Sequence, residues 1–500
     1  MAVRHDCRMR DGPRHGTAGD MTTASAGDSR PGRPAAPSGL PRVLGLADLI
    51  AIVLGTVIGS GIFMVPGVVL RDVGGHLGLA LGVWVAGGVL SLLGALTYGE
   101  LGALLPEAGG LYVYIRDAFG PLPAFLYGWT QFLVIASGSV ATLAVAFTVY
   151  LGTLTPIGAG TGRLVAVGLI AICAAINVWG TRKSADMQAW TTAAKALAIL
   201  VMGVALLLVP SAAGPSLSPA SAGMSTGAML AGAGVAVVAT MWSYEGWQYV
   251  TFAAGEARNP QRTFARGLVV GTCGVVFLYV LANVAYAHAL GPAAVAHSDR
   301  VAGDAVSAVF GGWAGRIMTV VVEIAVFSAL NSVILTAPRV FYAMARDGLF
   351  FRRLAEVHPR FGTPAFAIIA GALWAMLLAA SGTYEQLLTY VIGTGWAFYG
   401  LAAATLFWYR RHRPNAVRPF RVPGYPVVPA LFVLASLGVV IESLVAQPVR
   451  ATIGLGIALL GVPAYFAWRL RSGRGAGRVP DAGAALPDSG AEVAARTPPV

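Results

Sequence analysis

Two residues in this sequence stand out by type and place. Lys195 lies in the Ala/Leu-rich stretch 187–209, and Glu245 lies within Met241-Trp242-Ser243-Tyr244-Glu245-Gly246-Trp247, inside another apolar run. An ionised side chain at the centre of a membrane costs about 2.5–3.5 kcal/mol on insertion scales, so each should face a cavity or polar partners. For Lys195 the plain alternative is a long side chain that reaches the membrane interface. A third stretch carries its chemistry in the backbone: Gly55-Thr56-Val57-Ile58-Gly59-Ser60-Gly61-Ile62-Phe63, followed by Pro66-Gly67. Each of its glycines weakens a helix by about 1 kcal/mol relative to Ala. A break in mid-membrane frees N–H and C=O groups, which are tolerated only against a cavity or a ligand. The glycines alone also allow close helix packing through small residues. Free N–H groups at a helix start suit a carboxylate, and free carbonyls at the end of a facing half-helix suit an ammonium. Two such breaks meeting at the midplane can hold both charged ends of an α-amino acid.

The elements that must position these groups are membrane helices. Of the 500 residues, 56% are hydrophobic and 11% charged, with a mean hydropathy of +0.71. A soluble domain carries about 25% charged residues, so a soluble, a disordered and a disulfide-scaffold chain are all excluded. Twelve apolar segments run at about 46–70, 77–104, 122–151, 163–180, 187–209, 228–254, 267–290, 313–345, 364–381, 385–408, 426–446 and 451–470. A membrane span needs about 17–25 residues. Helices satisfy their own backbone in lipid, and the ten-residue alternation of barrel strands is missing. The expected fold is therefore an all-α polytopic membrane protein with twelve transmembrane helices. Residues 1–41 read as a disordered tail, 42–470 as the transmembrane domain, and 471–500 as a second disordered tail.

The net charge of +12 acquires a meaning from its placement. With twelve alternating crossings, 28 of the 34 Lys and Arg residues fall on the side of both termini and five on the other. That bias puts both termini in the cytoplasm, in a multi-pass protein of the cell membrane. The basic residues are spread over seven stretches, which excludes a nucleic-acid partner; the lipid bilayer and a small-molecule substrate are expected instead. Segments 1 and 6 open two successive five-helix sets of opposite orientation. Repeat one spans about 46–209 and repeat two about 228–408, with two extra helices at 426–470. Interrupted segments at matching places in two halves point to a transporter's midplane site.

At these residues the chain resembles the amino acid–polyamine–organocation (APC) superfamily, most closely its L-type amino acid transporter branch. The match runs through Gly55 to Phe63, Trp242 to Trp247, Glu256-Ala257-Arg258-Asn259-Pro260 with Arg262, and Ser328-Ala329-Leu330-Asn331 with Arg339. It continues in Ala345-Arg346-Asp347-Gly348, His358 to Pro364, and Arg418-Pro419-Phe420-Arg421-Val422-Pro423, covering about residues 42–470. The resemblance implies a leucine-transporter-like fold of two inverted five-helix repeats plus two helices, working by alternating access. It also implies that amides at Gly59, Ser60 and Gly61 bind substrate carboxylate, and that carbonyls near Trp242, Ser243 and Glu245 take the amino group. Val57, Ile62 and Gly246 complete that expected set. Trp242, which by type alone is also a plain packing aromatic, would gate the site from outside.

In the same family a lysine at the Lys195 position stands in for a sodium ion between helices 1 and 8, which implies sodium-independent transport. Ser328, Asn331 and Ser332 are its expected partners. Glu245 could attract a cationic side chain, carry a coupling proton, pair with a basic group or cap the broken helix. Glu100 reads as gating or structural, and Glu323 has no strong match. The expected function is a secondary amino acid carrier, as an exchanger or proton symporter. A polyamine or other organocation carrier of the same fold is the alternative.

Other classes find little support. All seven histidines fall in tails, loops or helix ends, and neither an HExxH nor a Walker pattern occurs, so a membrane-embedded enzyme is disfavoured and no metal or cofactor is expected. A channel fits the composition but not the paired breaks. Cys7 lies in the tail, and Cys173 and Cys273 read as buried packing residues. Animal L-type transporters tether a heavy-chain glycoprotein through a cysteine after helix 3. The corresponding loop, Gly152 to Gly162, contains none, so no disulfide-linked heavy chain is expected.

Overall fold

The computed structural model describes residues 40–210, 225–381 and 384–472; nearly all of both expected tails lies outside them. In chain order the helices are α1 (Leu46–Val57), α2 (Gly61–Asp72), α3 (Leu77–Leu104), α4 (Leu111–Phe119), α5 (Pro121–Thr130), α6 (Ala136–Leu154), α7 (Ala159–Val178), α8 (Thr181–Leu208) and α9 (Thr226–Ser243). They continue as α10 (Pro260–Leu290), α11 (Pro292–Ala296), α12 (Val301–Phe310), α13 (Gly312–Thr336), α14 (Pro338–Arg346), α15 (Ala365–Ser381), α16 (Tyr384–His412), α17 (Val427–Ala446) and α18 (Pro448–Ser472). The described residues contain no strand, only one isolated bridge between Leu44 and Ala257. The chain is an all-α polytopic membrane protein.

Ten helical runs are long and apolar enough to cross a membrane, and α1 with α2, bent by 45° at their break, makes an eleventh. The remaining apolar segment, α15, has 17 described residues, at the lower bound for a membrane span. Among the described residues ten or eleven of the twelve expected spans are thus supported by length and composition. Loops hold helices that hydropathy does not reveal: α4 before α5, and α11 and α12 between α10 and α13. Cys173 is buried as expected; Cys273 is exposed on α10, because its position falls on the outward face of that helix.

Helix α1 packs against α8, α10 and α13, and α3 against α10, so the glycine-rich break is enclosed on several sides. Charges concentrate at the helix ends on the Arg-rich face. Arg339 donates to Glu256 at 2.6 Å and to Thr181 at 2.9 Å, and it also bonds the Leu335 carbonyl. Arg410 bonds Glu100 at 2.7 and 2.8 Å, Val422 N–H donates to the same carboxylate at 2.7 Å, and Arg418 lies 3.3 Å away. Glu100 thus ties α3 to the end of α16. Asp48 accepts from Arg182 at 2.8 Å and from Gly45 N–H at 2.8 Å, capping α1.

The Arg339–Glu256 pair is the most enclosed of these, with 1% and 0% exposure. Removing one member of a buried pair leaves an uncompensated charge and costs about 3–5 kcal/mol. Arg339→Ala should therefore lower the thermal midpoint of the detergent-purified protein sharply, and Arg339→Ala with Glu256→Gln should recover part of the loss. An unchanged midpoint in the single variant would sink this account of the pair.

Candidate functional site

The first break follows directly from the glycines. Helix α1 ends at Val57, Gly59 N–H turns back to the Val57 carbonyl at 2.8 Å, and α2 begins at Gly61. The carbonyls at the end of α1 then lose their helical donors. Lys195, on α8, fills that place. Its Nζ donates to the carbonyls of Gly55 at 2.7 Å, Ile58 at 2.6 Å and Ala325 at 3.3 Å. Lys195 is buried, so it does not reach the interface, and its three donors meet three carbonyls.

The expected partners Ser328, Asn331 and Ser332 are not the groups that hold Lys195. Ser328 accepts from Gln188 and bonds Thr191, each at 3.0 Å. Asn331 bonds Asn177 at 2.7 Å and Gln188 at 3.0 Å. Ser332 pairs with Thr56 at 2.5 Å. These side chains are engaged with each other, whereas the freed carbonyls of α1 need a donor and the ammonium supplies one.

The second break lies in segment 6. Helix α9 ends at Ser243, Tyr244 to Gly246 form a turn, and a 3-10 helix runs Trp247–Glu256. Gly246 adopts φ of 125°, a left-handed conformation open to glycine. The two breaks touch. A Cβ on Gly61 would lie 2.7 Å from Ser243 Cα, and one on Gly246 would lie 2.7 Å from Thr56 Cγ2. Tyr279 of α10 links them, with its hydroxyl 2.8 Å from the Val57 carbonyl and 2.9 Å from the Ser243 carbonyl. A phenol has one hydrogen to give, so one of the two carbonyls stays open to another donor.

Beside this junction is a cavity of about 30 Å³, lined by Val57, Gly59, Ser60, Gly61, Trp242, Glu245 and Gly246 of the expected set. Thr56, Ser139, Leu143, Tyr249 and Val333 complete its wall. Ile62 and Ser243 do not line it, although both are buried next to residues that do. Glu245 Oε1 accepts from Tyr399 at 2.5 Å and Gln248 at 2.6 Å. Among the described residues no basic group pairs with it, which removes the ion-pair alternative. Glu323 lies apart from the cavity, its Oε1 buried without a hydrogen bond among the described residues. No cluster of His, Cys, Asp or Glu fit to hold a metal ion occurs among them either.

Tyr279, Ser139 and Tyr249 were not singled out by sequence. Each is a common residue in an apolar helix, with no spacing signal of its own.

Matches to known proteins cover most of the chain. The amino acid permease family matches residues 44–462. The serine/threonine exchanger SteT of Bacillus subtilis (strain 168) is 31% identical over 445 residues, covering 87% of this chain and 98% of that protein. The human cystine/glutamate transporter is 33% identical over 437 residues, covering 85% of each. The rat large neutral amino acids transporter small subunit 2 is 32% identical over 450 residues, covering 85% of this chain and 80% of the relative.

The Tyr279 bridge makes a stability prediction. Tyr279→Phe removes the one proton that the Val57 and Ser243 carbonyls share, a loss of about 1–3 kcal/mol where a buried carbonyl is left unpaired. The variant should lose thermal midpoint in detergent, while Tyr286→Phe on the same helix, whose hydroxyl has no hydrogen bond among the described residues, should lose little. Equal effects at both positions would argue against the bridge.

Proposed function

This chain belongs to the amino acid permease family, and from that premise we propose that it exchanges amino acids across the cell membrane by alternating access, without sodium. A permease returns its substrate unchanged, so the membrane-embedded enzyme falls away. The observation that carries the proposal is the contact of two broken helices beside a cavity that both of them line.

Substrate carboxylate binds the N–H groups of Gly59, Ser60 and Gly61 at the start of α2, where the helix dipole favours an anion. Val57 and Ile62 set the ends of that turn. Substrate ammonium binds carbonyls around Trp242, Ser243 and Glu245, competing with the Tyr279 hydroxyl, and Gly246 lets the chain turn there. Trp242 closes the site from outside. The anion-binding end favours a zwitterion over a polyamine, which has no carboxylate to offer. Relatives named as exchangers and transporters of serine/threonine, cystine/glutamate and large neutral amino acids fit this reading.

Sodium independence rests on Lys195. A bound sodium ion would need several oxygen ligands, and the ammonium takes up three carbonyls at the α1/α13 contact. Ser328, Asn331 and Ser332 act through the polar network around it. The transmembrane domain, 42–470, is read as inverted repeats at about 46–209 and 228–408 with two further helices, both termini cytoplasmic. It works without a disulfide-linked heavy chain, since the loop from Gly152 to Gly162 lacks a cysteine. A second reading, proton-coupled uptake through Glu245, is favoured by a carboxylate bonded to neutral donors alone.

Uptake of an amino acid panel into proteoliposomes, with and without internal substrate, sodium and a pH gradient, tests these points. Saturable uptake stimulated by internal amino acid is expected, and no uptake of any amino acid would sink the proposal. Strict sodium dependence would overturn the role of Lys195. Glu245→Gln should change the pH dependence or the cationic-over-neutral preference; a variant unchanged in both returns Glu245 to a structural role.

A further inference from the structure

We propose that the cavity selects amino acids whose side chain carries a neutral hydroxyl or carboxamide, through a donor–acceptor subsite made by Gln131, Ser139 and Tyr249. The inference rests on the amino acid reading above and names the substrate class within it.

The span from α5 to α6 is not a continuous α-helix. Residues Gln131–Ile135 form a π-helical turn between them. Such turns insert an extra residue into a helix and recur at functional sites. Gln131 at the start of this turn is fully buried, and both its amide oxygen and its amide nitrogen lack a hydrogen bond among the described residues. The Tyr249 hydroxyl, from the 3-10 helix of segment 6, lies against Ser139 and Gln131 without reaching hydrogen-bond geometry to either. Ser139 gives its proton to the Ile135 carbonyl at 2.7 Å and keeps its lone pairs free to accept. Ser139 and Tyr249 both line the cavity that the broken helices enclose.

Buried polar groups are nearly always paired, and leaving one unpaired costs its full desolvation. Tyr249 stands on the cavity wall with Gln131 against it, and their three orphan atoms therefore call for a partner that arrives with the substrate. Gln131 offers two donors and an acceptor, Tyr249 a donor and an acceptor, and Ser139 an acceptor. A hydroxyl or a carboxamide answers both kinds at once. An ammonium or guanidinium has donors alone and leaves the Gln131 Nε2 group unpaired. An aliphatic side chain answers none. Leu143, Val333 and Trp242 form the apolar remainder of the wall and limit the size of what fits.

Threonine and valine have nearly the same shape and differ by a hydroxyl for a methyl, as asparagine and leucine differ by an amide for a branched alkyl group. In competition assays on wild-type proteoliposomes, threonine should inhibit at about 10- to 100-fold lower concentration than valine, and asparagine than leucine. In Gln131→Leu the threonine/valine ratio should fall toward one, because an apolar side chain replaces the orphaned amide. Tyr249→Phe provides a second route to the same collapse if the first variant fails to fold, as checked by gel filtration. Valine matching threonine in the wild type overturns this inference and leaves amino acid exchange standing. Lysine or arginine outcompeting threonine overturns it too, as does an unchanged ratio in the folded variants. No uptake of any amino acid strikes at the reading on which it rests.

Discussion

A backbone carbonyl freed inside a membrane has no water to bond, and at the break of the first span that demand is met by side chains from other helices. Lys195 crosses from α8 to the carbonyls of Gly55 and Ile58, and Tyr279 crosses from α10 to that of Val57. Both reach further: Lys195 to Ala325 on α13, Tyr279 to Ser243 at the end of α9. The break is thus a point where four other helices converge. An unbroken α1 would satisfy these carbonyls internally and would need none of them.

The neighbouring polar network has a different task. Asn177, Ser184, Gln188, Thr191, Ser328 and Asn331 bond to each other across α7, α8 and α13. Lipid supplies no hydrophobic drive for one helix to choose another, so side-chain hydrogen bonds and close contacts of small residues set the pairing. The network fixes α8 against α13, and with it the distance from Lys195 to the α1 break. Ser328 and Asn331 therefore bear on the lysine by holding its helix, and Ser332 by bonding Thr56 on the broken helix itself.

Much of this was legible in the sequence because membrane helices advertise themselves by composition. Apolar runs marked most of the spans, the glycines of segment 1 taken with the interruption in segment 6 pointed to the first break, and a carboxylate in an apolar run singled out Glu245. Partners were much less legible. A lysine in a helix declares that it needs oxygen atoms, but whether these come from serine hydroxyls or from the backbone of another helix depends on tertiary packing. The same holds for Tyr279 and for Gln131, where the π-helical turn that directs the amide inward leaves no mark in residue type. Loop helices α4, α11 and α12 escaped because they are too short for a hydropathy signal. Cys273 was misread because an apolar position on a membrane helix can face lipid as well as core.

The distribution of bond types bears on how such a structure can move. The strong pairs, Glu256–Arg339 and Glu100–Arg410, sit at the helix ends. Both carboxylates are fully buried, so parting either pair would leave a buried charge uncompensated. Around the cavity the contacts are of another kind: hydroxyls and amides against carbonyls, with Tyr279 holding two acceptors on one proton. Under the proposed function, a substrate ammonium would replace the phenol at a carbonyl, one donor leaving as another arrives. Lys195 stays bonded to carbonyls on both α1 and α13 and so marks the contact that has to loosen if α1 is to swing. Strong pairs at the rim and exchangeable hydrogen bonds at the centre are what a site must combine to open at one end while keeping its buried backbone satisfied.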